Sequence, residues 1–335
     1  MLLVTADRAT LFTDSRYTFQ AREEVSEARV SIAKRGLLRA AAQAMSEMGA
    51  RRRVSIAYSP AQLSVAQKQA LDAQIRRKVR WVAAENLVER LRAIKDADEL
   101  SRIREAAELI SRVFTDTVPV IRAGVTELEL AGELEYRMKR VVAEGPSFET
   151  IVASGPRSAW PHARPTAKRL GKNELVVLDQ GAILRGYCSD MTRTVFLGRS
   201  SNKVQQMYRA VFEAQEAAKD AVRPGVEAGT VDRAARKLLQ NRRLAKYFTH
   251  STGHGLGLEV HEMPRLGRGE RTVLREGMVV TIEPGVYIEG FGGVRIEDDV
   301  DAAGLLVLEQ HLLPRLAAIG GAEDAALGVW AIGMA

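Results

Sequence analysis

Cysteine is almost missing from this chain. Cys188 is the only one in 335 residues, which excludes an internal disulfide framework and fits a reducing compartment. No apolar run reaches membrane-spanning length and no signal-peptide pattern opens the chain, so a cytoplasmic protein without membrane contacts is expected. Acidic charge is in deficit: the net charge is +7 and the pI about 9.6. Basic clusters sit at Arg51-Arg52-Arg53, Arg76-Arg77-Lys78 and Arg242-Arg243. Aromatics are scarce too, at 5%, and do not interleave with these clusters as stacking platforms would. The clusters therefore read as solvated, arginine-rich surface, and nucleic acid is not an expected partner. What remains is ordinary globular composition, 46% hydrophobic and 27% charged, in a chain long enough for two domains.

The N-terminal stretch "MLLVTADRATLFTD" has two short apolar runs around Asp7-Arg8 and reads as a β-hairpin. A helix is expected near residues 26–48, a strand over 52–59 and a helix over 60–78, and this α/β piece ends near residue 92 without a cluster of catalytic residue types. A new pattern follows. Leu100, Ile103, Ala107, Ile110 and Phe114 recur at helical spacing. Thr126 and Glu129 form a capping-box signature for a second helix with Leu130, Leu134, Met138 and Val141 as its stripe, ended by Gly145-Pro146. The same order returns later. Val204, Met207, Val211, Ala214 and Ala218 share one face, and another helix runs from Thr230. Helix, Arg-x-Gly-Val, helix thus occurs twice, at Arg122 and Arg223. This implies an internal duplication in which two α/β halves pack around a shared cleft.

Two aspartates sit in the apolar stretch "LDQGAILRGYCSDMTRT". Strand interiors reject Asp, and a lone buried carboxylate is costly. Residues 175–183 and 187–196 read as paired strands. Any even-length loop puts Asp179 and Asp190 on one face. A two-residue loop at Leu184-Arg185 would set them directly opposite, with Cβ atoms about 4.5–5.5 Å apart. Two bare carboxylates so close repel, and a cation between them removes the conflict. Cys188 and Thr192 share that face, Cys188 as packed core rather than a thiolate ligand. Further on, "THSTGHGLGLEVHEMP" carries His250, His254 and His261, and two apolar stretches carry Glu283 and Glu297. Register there is less fixed, because Pro284, Gly285 and the glycines over 290–293 can shift it. Four carboxylates balance two divalent cations, and a neutral His254 completes a donor set suited to Mn, Co, Zn or Fe.

These motifs, together with "ASGPRSAWPHARP", "GHGLGLEVHE", "TIEPGVYI" and "GGVRIEDD", resemble the pita-bread metallopeptidases of the Xaa-Pro dipeptidase and Xaa-Pro aminopeptidase branch. The resemblance implies an α/β (α+β) protein in three parts: a creatinase-type N-terminal domain over 1–92, a pita-bread dimetal domain of two pseudo-symmetric halves over 93–310, and an atypical tail over 311–335. It implies Asp179, Asp190, His254, Glu283 and Glu297 as ligands of two divalent ions, manganese first, with Asp190 and Glu297 bridging. Glu283 would also be the general base. His162 and His261 would serve the tetrahedral intermediate and the substrate, with His250 as a supporting histidine. Arg295 and Tyr287 would orient carboxylates or water. The implied reaction is hydrolysis of the bond before proline, in dipeptides or at the N-terminus of short peptides, by a hydroxide held between the ions, in a homodimer. The resemblance leans to the dipeptidase. The N-terminal domain is expected to start late, lacking the family's leading strand and helix. His311 has no motif around it and reads as surface. The competing reading is a non-catalytic peptide- or nucleic-acid-binding protein on the same scaffold, with metal-free creatinase-type chemistry as a third.

Overall fold

A computed structural model describes residues 1–48, 54–76, 78–303 and 329–330. Arg51-Arg52-Arg53, Arg77, His311 and nearly all of the expected tail lie outside the described residues. The chain divides into two compact units, Met1–Val88 and Glu89–Ala335. No described helix is long and apolar enough to cross a membrane.

In the first unit, β1 (Leu2–Val4) and β2 (Ala9–Thr13) form the expected hairpin. The reading of one helix over 26–48 is corrected. After α1 (Thr18–Glu24), residues Arg29–Ile32 form β3, parallel to β2, and only Leu37–Met48 form α2. The alternating Val30 and Ile32 carry a period of two that a helical window absorbs. Strand β4 (Val54–Tyr58) pairs in parallel with β5 (Val79–Ala83), and α3 (Val65–Gln74), capped by Ser64 and Gln67, joins them. The helix is shorter than expected, and β5 takes the residues beyond 78. Phe12, Ala41, Ala42, Met45, Ile56 and Leu71 form this unit's core.

After α4 (Leu87–Arg92), the second unit holds α5 (Ala97–Thr117) and α6 (Glu127–Arg140), both opened by capping boxes, with Thr126 and Glu129 at the second as expected. Leu130, Leu134 and Met138 are fully buried, and α6 ends before Gly145–Pro146, which form the two-residue strand β6. A sheet follows from β7 (Ile151–Ser154), β8 (Glu174–Gln180) and, beyond the short hairpin β9 (Ala182–Leu184) and β10 (Tyr187–Cys188), β11 (Met191–Leu197). Helices α7 (Asn202–Ala221) and α8 (Ala228–Asn241) begin the second half, α8 starting two residues ahead of Thr230. Its sheet is built from β12 (Gly253–Gly255), β13 (Glu262–Leu266), β14 (Val279–Ile282) and β17 (Asp298–Asp301), with the hairpin β15 (Gly285–Ile288) and β16 (Gly292–Arg295) between the last two. Val329–Trp330 (β18) pair antiparallel with the outer edge of β11. Each half packs its helices on its sheet, one core around Ile110, Phe114 and Leu134 and the other around Val211, Val231 and Ile282.

The register of the two acid-bearing hairpins decides the site. Gln180 pairs with Met191 and Ile183 with Cys188, so Asp190 lies across from Gly181, and Asp179 pairs with Thr192. The aspartates share a face, as alternation requires, but they are diagonal neighbours rather than directly opposite. The physical reason is the turn. Its two central residues are Arg185 and Gly186, both at positive φ (49° and 79°), the backbone of a tight hairpin, one residue later than expected. Gly181 itself cannot carry a side chain, because a Cβ there would lie 2.1 Å from the carbonyl oxygen of Ser189. In the other hairpin Ile282 pairs with Asp298 and Gly285 with Arg295, which leaves Glu283 directly across from Glu297 despite the intervening proline and glycines.

Candidate active site

A cleft of about 640 Å³ opens in the second unit, and its lining includes Asp179, Asp190, His254, Glu283 and Glu297. His162, His250, His261 and Arg295 line the same cleft, so the sequence's candidate residues converge apart from Tyr287, which lies one contact behind. Ligand atoms of Asp190, His254 and Glu297 all lie within 4.8 Å of one another. His254 Nε2 is 3.8 Å from Asp190 Oδ2 and 3.6 Å from Glu283 Oε1.

The imidazole of His254 shows why a cation fits. Its Nδ1 lies 3.0 Å from the carbonyl oxygen of Gly255, an acceptor only, so Nδ1 carries the proton. Burial pushes the His254 pKa down to about 4, so the ring is neutral at pH 7. The Nε2 lone pair is therefore left to face Asp190 and Glu283 as an acceptor. Asp179 Oδ1 and Asp190 Oδ1 are buried without a hydrogen-bond partner. Burial, then repulsion from Glu297 and Asp179, drives the Asp190 carboxyl well above its usual range. Burial, then repulsion from Glu283 and Asp179, does the same for Glu297, and burial lifts Glu283 to about 8. A buried group of acceptors that repel one another, with orphaned oxygens, is the donor set of a divalent-cation site. Residues drawn from both halves are thus compatible with the metal that the sequence implied.

Arg295 ties the carboxylates together. It is buried, and its Nη2 donates to Asp179 Oδ2. Its Nε donates to Thr192 Oγ1 (3.0 Å), and Thr192 in turn donates to Glu297 Oε2 (2.6 Å). Its Nη1 reaches the carbonyl of Pro161 (3.0 Å) and the hydroxyl of Tyr287 (2.9 Å). Tyr287 OH lies 2.9 Å from His250 Nε2, and His250 Nδ1 lies 3.8 Å from Glu283 Oε2. Burial, assisted by the Arg295 charge, lowers the His250 pKa to about 4, while burial lifts the Tyr287 phenol to about 12. His261 packs its ring against His254, with centroids 4.3 Å apart, and both His261 and His162 are exposed to the cleft. Cys188 is a buried free thiol packed with Ile103, Leu256 and Val279, and burial raises its pKa to about 11, so it is core.

Several contributors carried only a weak sequence signal. Glu262, next to His261, is clamped by Arg92 (2.5 Å) and Lys95 (3.0 Å). Burial alone would raise the Glu262 pKa, but Lys95 and Arg92 outweigh it and hold the group ionised. Arg265 also lines the cleft. Beneath the ligands, Arg193 bonds the carbonyl of Glu297 (2.6 Å) and Asp298 Oδ1 (2.8 Å), and Gln215 and Lys219 complete the partners of Asp298. The only signal for these residues was a charge at an otherwise apolar position, as in "RIEDD" and "MTRTV".

Residues 101–301 match metallopeptidase family M24, and residues 1–94 match the creatinase/prolidase N-terminal domain. The chain belongs to metallopeptidase family M24. Members of this family depend on divalent metal ions, and the fold is the pita-bread fold of the prolidases, with its N-terminal domain. The Xaa-Pro dipeptidase of Pyrococcus furiosus is 44% identical over 216 residues, 64% of this chain and 62% of that relative, so the matched stretch spans less than two thirds of it. The uncharacterized peptidase YqhT of Bacillus subtilis is 37% identical over 90% of this chain and 84% of its own. An Xaa-Pro dipeptidase from Bacillus anthracis superposes with a TM-score of 0.85 at 37% identity, covering 90% of this chain and 83% of that one. An X-Pro aminopeptidase from Thermotoga maritima reaches 0.82 at 36% identity, over 90% and 82%. The M24 chain thus resembles dipeptidases and an aminopeptidase almost equally in shape.

Proposed function

We propose that this M24 chain hydrolyses the peptide bond before proline in short peptides, as a dipeptidase in the first instance. The observation that carries the reading is the lone pair of His254 Nε2 facing Asp190 and Glu283, in a cleft where buried oxygens of Asp179 and Asp190 lack hydrogen-bond partners. Asp179, Asp190, His254, Glu283 and Glu297 would hold two divalent ions, manganese ranking before cobalt, zinc and iron. Bound ions would supply Lewis-acid polarisation of the scissile carbonyl and a more acidic water.

The chain's own residues do the rest. Glu283, across from Glu297 and 3.8 Å from His250, is the base that accepts a proton from the attacking water. His250, fixed between the Ser251 carbonyl (2.8 Å) and the Tyr287 hydroxyl (2.9 Å), packs beside that carboxylate. His162 and His261, both exposed to the cleft, donate to the developing oxyanion and to the leaving proline nitrogen. Arg295 keeps Asp179 directly, and Glu297 through Thr192, in their working orientation. Arg265 adds positive charge to the cleft wall, which suits a substrate with a free carboxylate close to the scissile bond and so favours the dipeptide. The single buried thiol supports a reducing, cytoplasmic setting, and a homodimer is the proposed assembly. The intact acid set at one cleft speaks against a non-catalytic binding protein. The test is turnover of Xaa-Pro dipeptides and longer Xaa-Pro peptides with added manganese. Dipeptide hydrolysis is expected, and no turnover of either substrate by metal-loaded protein would reject the proposal.

A further inference from the structure

We propose that Glu127 is the positioning residue of the His162 loop, a claim that rests on the peptidase reading above. One buried carboxylate fastens both ends of the segment that delivers this imidazole to the cleft. Glu127 is the first residue of α6, capped by Thr126, and has no exposed surface. Its Oε1 accepts from the backbone N–H and the hydroxyl of Ser154, both at 2.9 Å. Its Oε2 accepts from the backbone N–H (3.0 Å) and hydroxyl (2.8 Å) of Thr166. Arg157 Nε straddles both oxygens, at 3.2 and 3.1 Å. Ser154 and Thr166 flank residues 155–165, the stretch "GPRSAWPHARP" that carries His162.

An ionised carboxylate only accepts hydrogen bonds, so every donor must come from elsewhere, and here they come from the two residues that flank the loop and from Arg157 within it. A buried charge left without them would be strongly destabilising. The loop and the carboxylate therefore specify each other. Other contacts stiffen the span between the anchors. Arg157 Nη2 donates to the carbonyl of Arg164 (2.5 Å), and Ser158 Oγ donates to the carbonyl of Gly155 (2.6 Å) and accepts from the N–H of Gly293 (2.8 Å). Pro161, next to His162, offers its carbonyl to Arg295. Glu127 thus sets the ends of the loop and Arg295 its middle, which leaves the exposed His162 ring on a fixed backbone over the acid cluster. Glu127 touches neither the cleft residues nor substrate. It acts through His162.

The isosteric variant E127Q discriminates. A glutamine keeps one acceptor oxygen and turns the other into a donor facing donors, so one end of the loop is released. Kinetics on an Xaa-Pro substrate would compare wild type, E127Q, H162A and the double variant. E127Q is expected to lower kcat by about 10–100-fold, the range for displaced catalytic groups and their supports, while KM moves by less than about threefold. In the H162A background the same change is expected to cost less than about twofold, because the group it positions is gone. Multiplicative losses, or an E127Q enzyme as active as wild type, would overturn the proposal. T166V, which removes one clasp and keeps the charge, should show the same dependence on His162 at smaller size and serves if E127Q does not fold. Hydrogen exchange over 155–165 provides a readout independent of activity. Faster exchange there, with 248–252 unchanged, supports the proposal, and unchanged exchange in both variants contradicts it. If wild type turns over no Xaa-Pro peptide, the peptidase reading fails while the exchange result still decides whether Glu127 holds the loop.

Discussion

The two halves of the second unit share a backbone plan and differ in how they deliver charge. In the first half the N–H of Gly124 donates to Leu170 O, and that of Leu170 to Val125 O. In the second half Gly225 donates to Leu274 O, and Leu274 to Val226 O, all four at 2.8 Å. Gly124 and Gly225 sit at φ 93° and 88°, so the Arg-x-Gly-Val repeat marks the same left-handed turn twice. The acids follow different rules. The first half presents its two aspartates diagonally on one hairpin, while the second presents its two glutamates face to face and adds His254. The helix acids differ as well. Glu127 clasps the loop of His162, whereas in the second half Asp232 accepts from Thr252 (2.9 Å) and holds Arg236, whose guanidinium bonds the carbonyls of Phe248 and His250. The duplicated frame supplies a cleft between halves, and unlike side chains on it supply the chemistry.

The largest test removes one acid from each half. Asp190→Asn and Glu297→Gln should each lose bound metal and lower kcat/KM by roughly 10³-fold or more, a loss of the size seen when transition-state stabilisation is removed. Metal content after gel filtration and steady-state kinetics check this. If one variant keeps both metal and activity, the halves do not share one centre. Next comes the buried pair under the second half. Asp298→Ala removes the buried carboxylate shared by Arg193 and Lys219, while Arg193 keeps the carbonyls of Thr192 and Glu297 and Lys219 the carboxylate of Glu216, and should destabilise the protein by about 3 kcal/mol, read from urea unfolding. Arg295→Lys is expected to weaken metal affinity and activity by about 10–100-fold, because a lysine cannot reach Asp179, Thr192, Pro161 and Tyr287 at once. The smallest effect sharpens the duplication itself. Gly124→Ala and Gly225→Ala meet no atom within 4 Å, so each should cost only the left-handed backbone, about 1–2 kcal/mol, and the two values should agree. Clearly unequal values would break the equivalence of the two turns.

Much of this site was legible because its signals are local. Alternation along a strand put Asp179 and Asp190 on one face whatever the exact turn. Ordered motifs brought Glu283, Glu297 and three histidines to the same chemistry. The turn position was not legible, because Leu184-Arg185 and Arg185-Gly186 both satisfy the pattern, and only the positive φ of both central residues selects the second. The glutamate hairpin was doubted for its proline and glycines, yet it keeps one register through them. Glu127 was invisible for a different reason. An acid in the first turn of a helix is an ordinary dipole partner, and its true donors lie far along the chain at Ser154 and Thr166. Glu262 with Arg92 and Lys95 escaped notice in the same way. In the first unit, β3 was lost because a short strand running into a helix was read as one long helical window.

The most direct measurement is calorimetric titration of manganese into chelator-stripped protein at pH 7, with Glu297→Ala as the reference. The account predicts saturable binding of two ions per chain with release of protons, because Glu283, lifted to about 8, holds a proton at pH 7 when no cation is present, and burial shifts Asp190 and Glu297 in the same direction. It also predicts that this binding collapses in the variant. Absence of saturable binding, or an identical isotherm for Glu297→Ala, would contradict it.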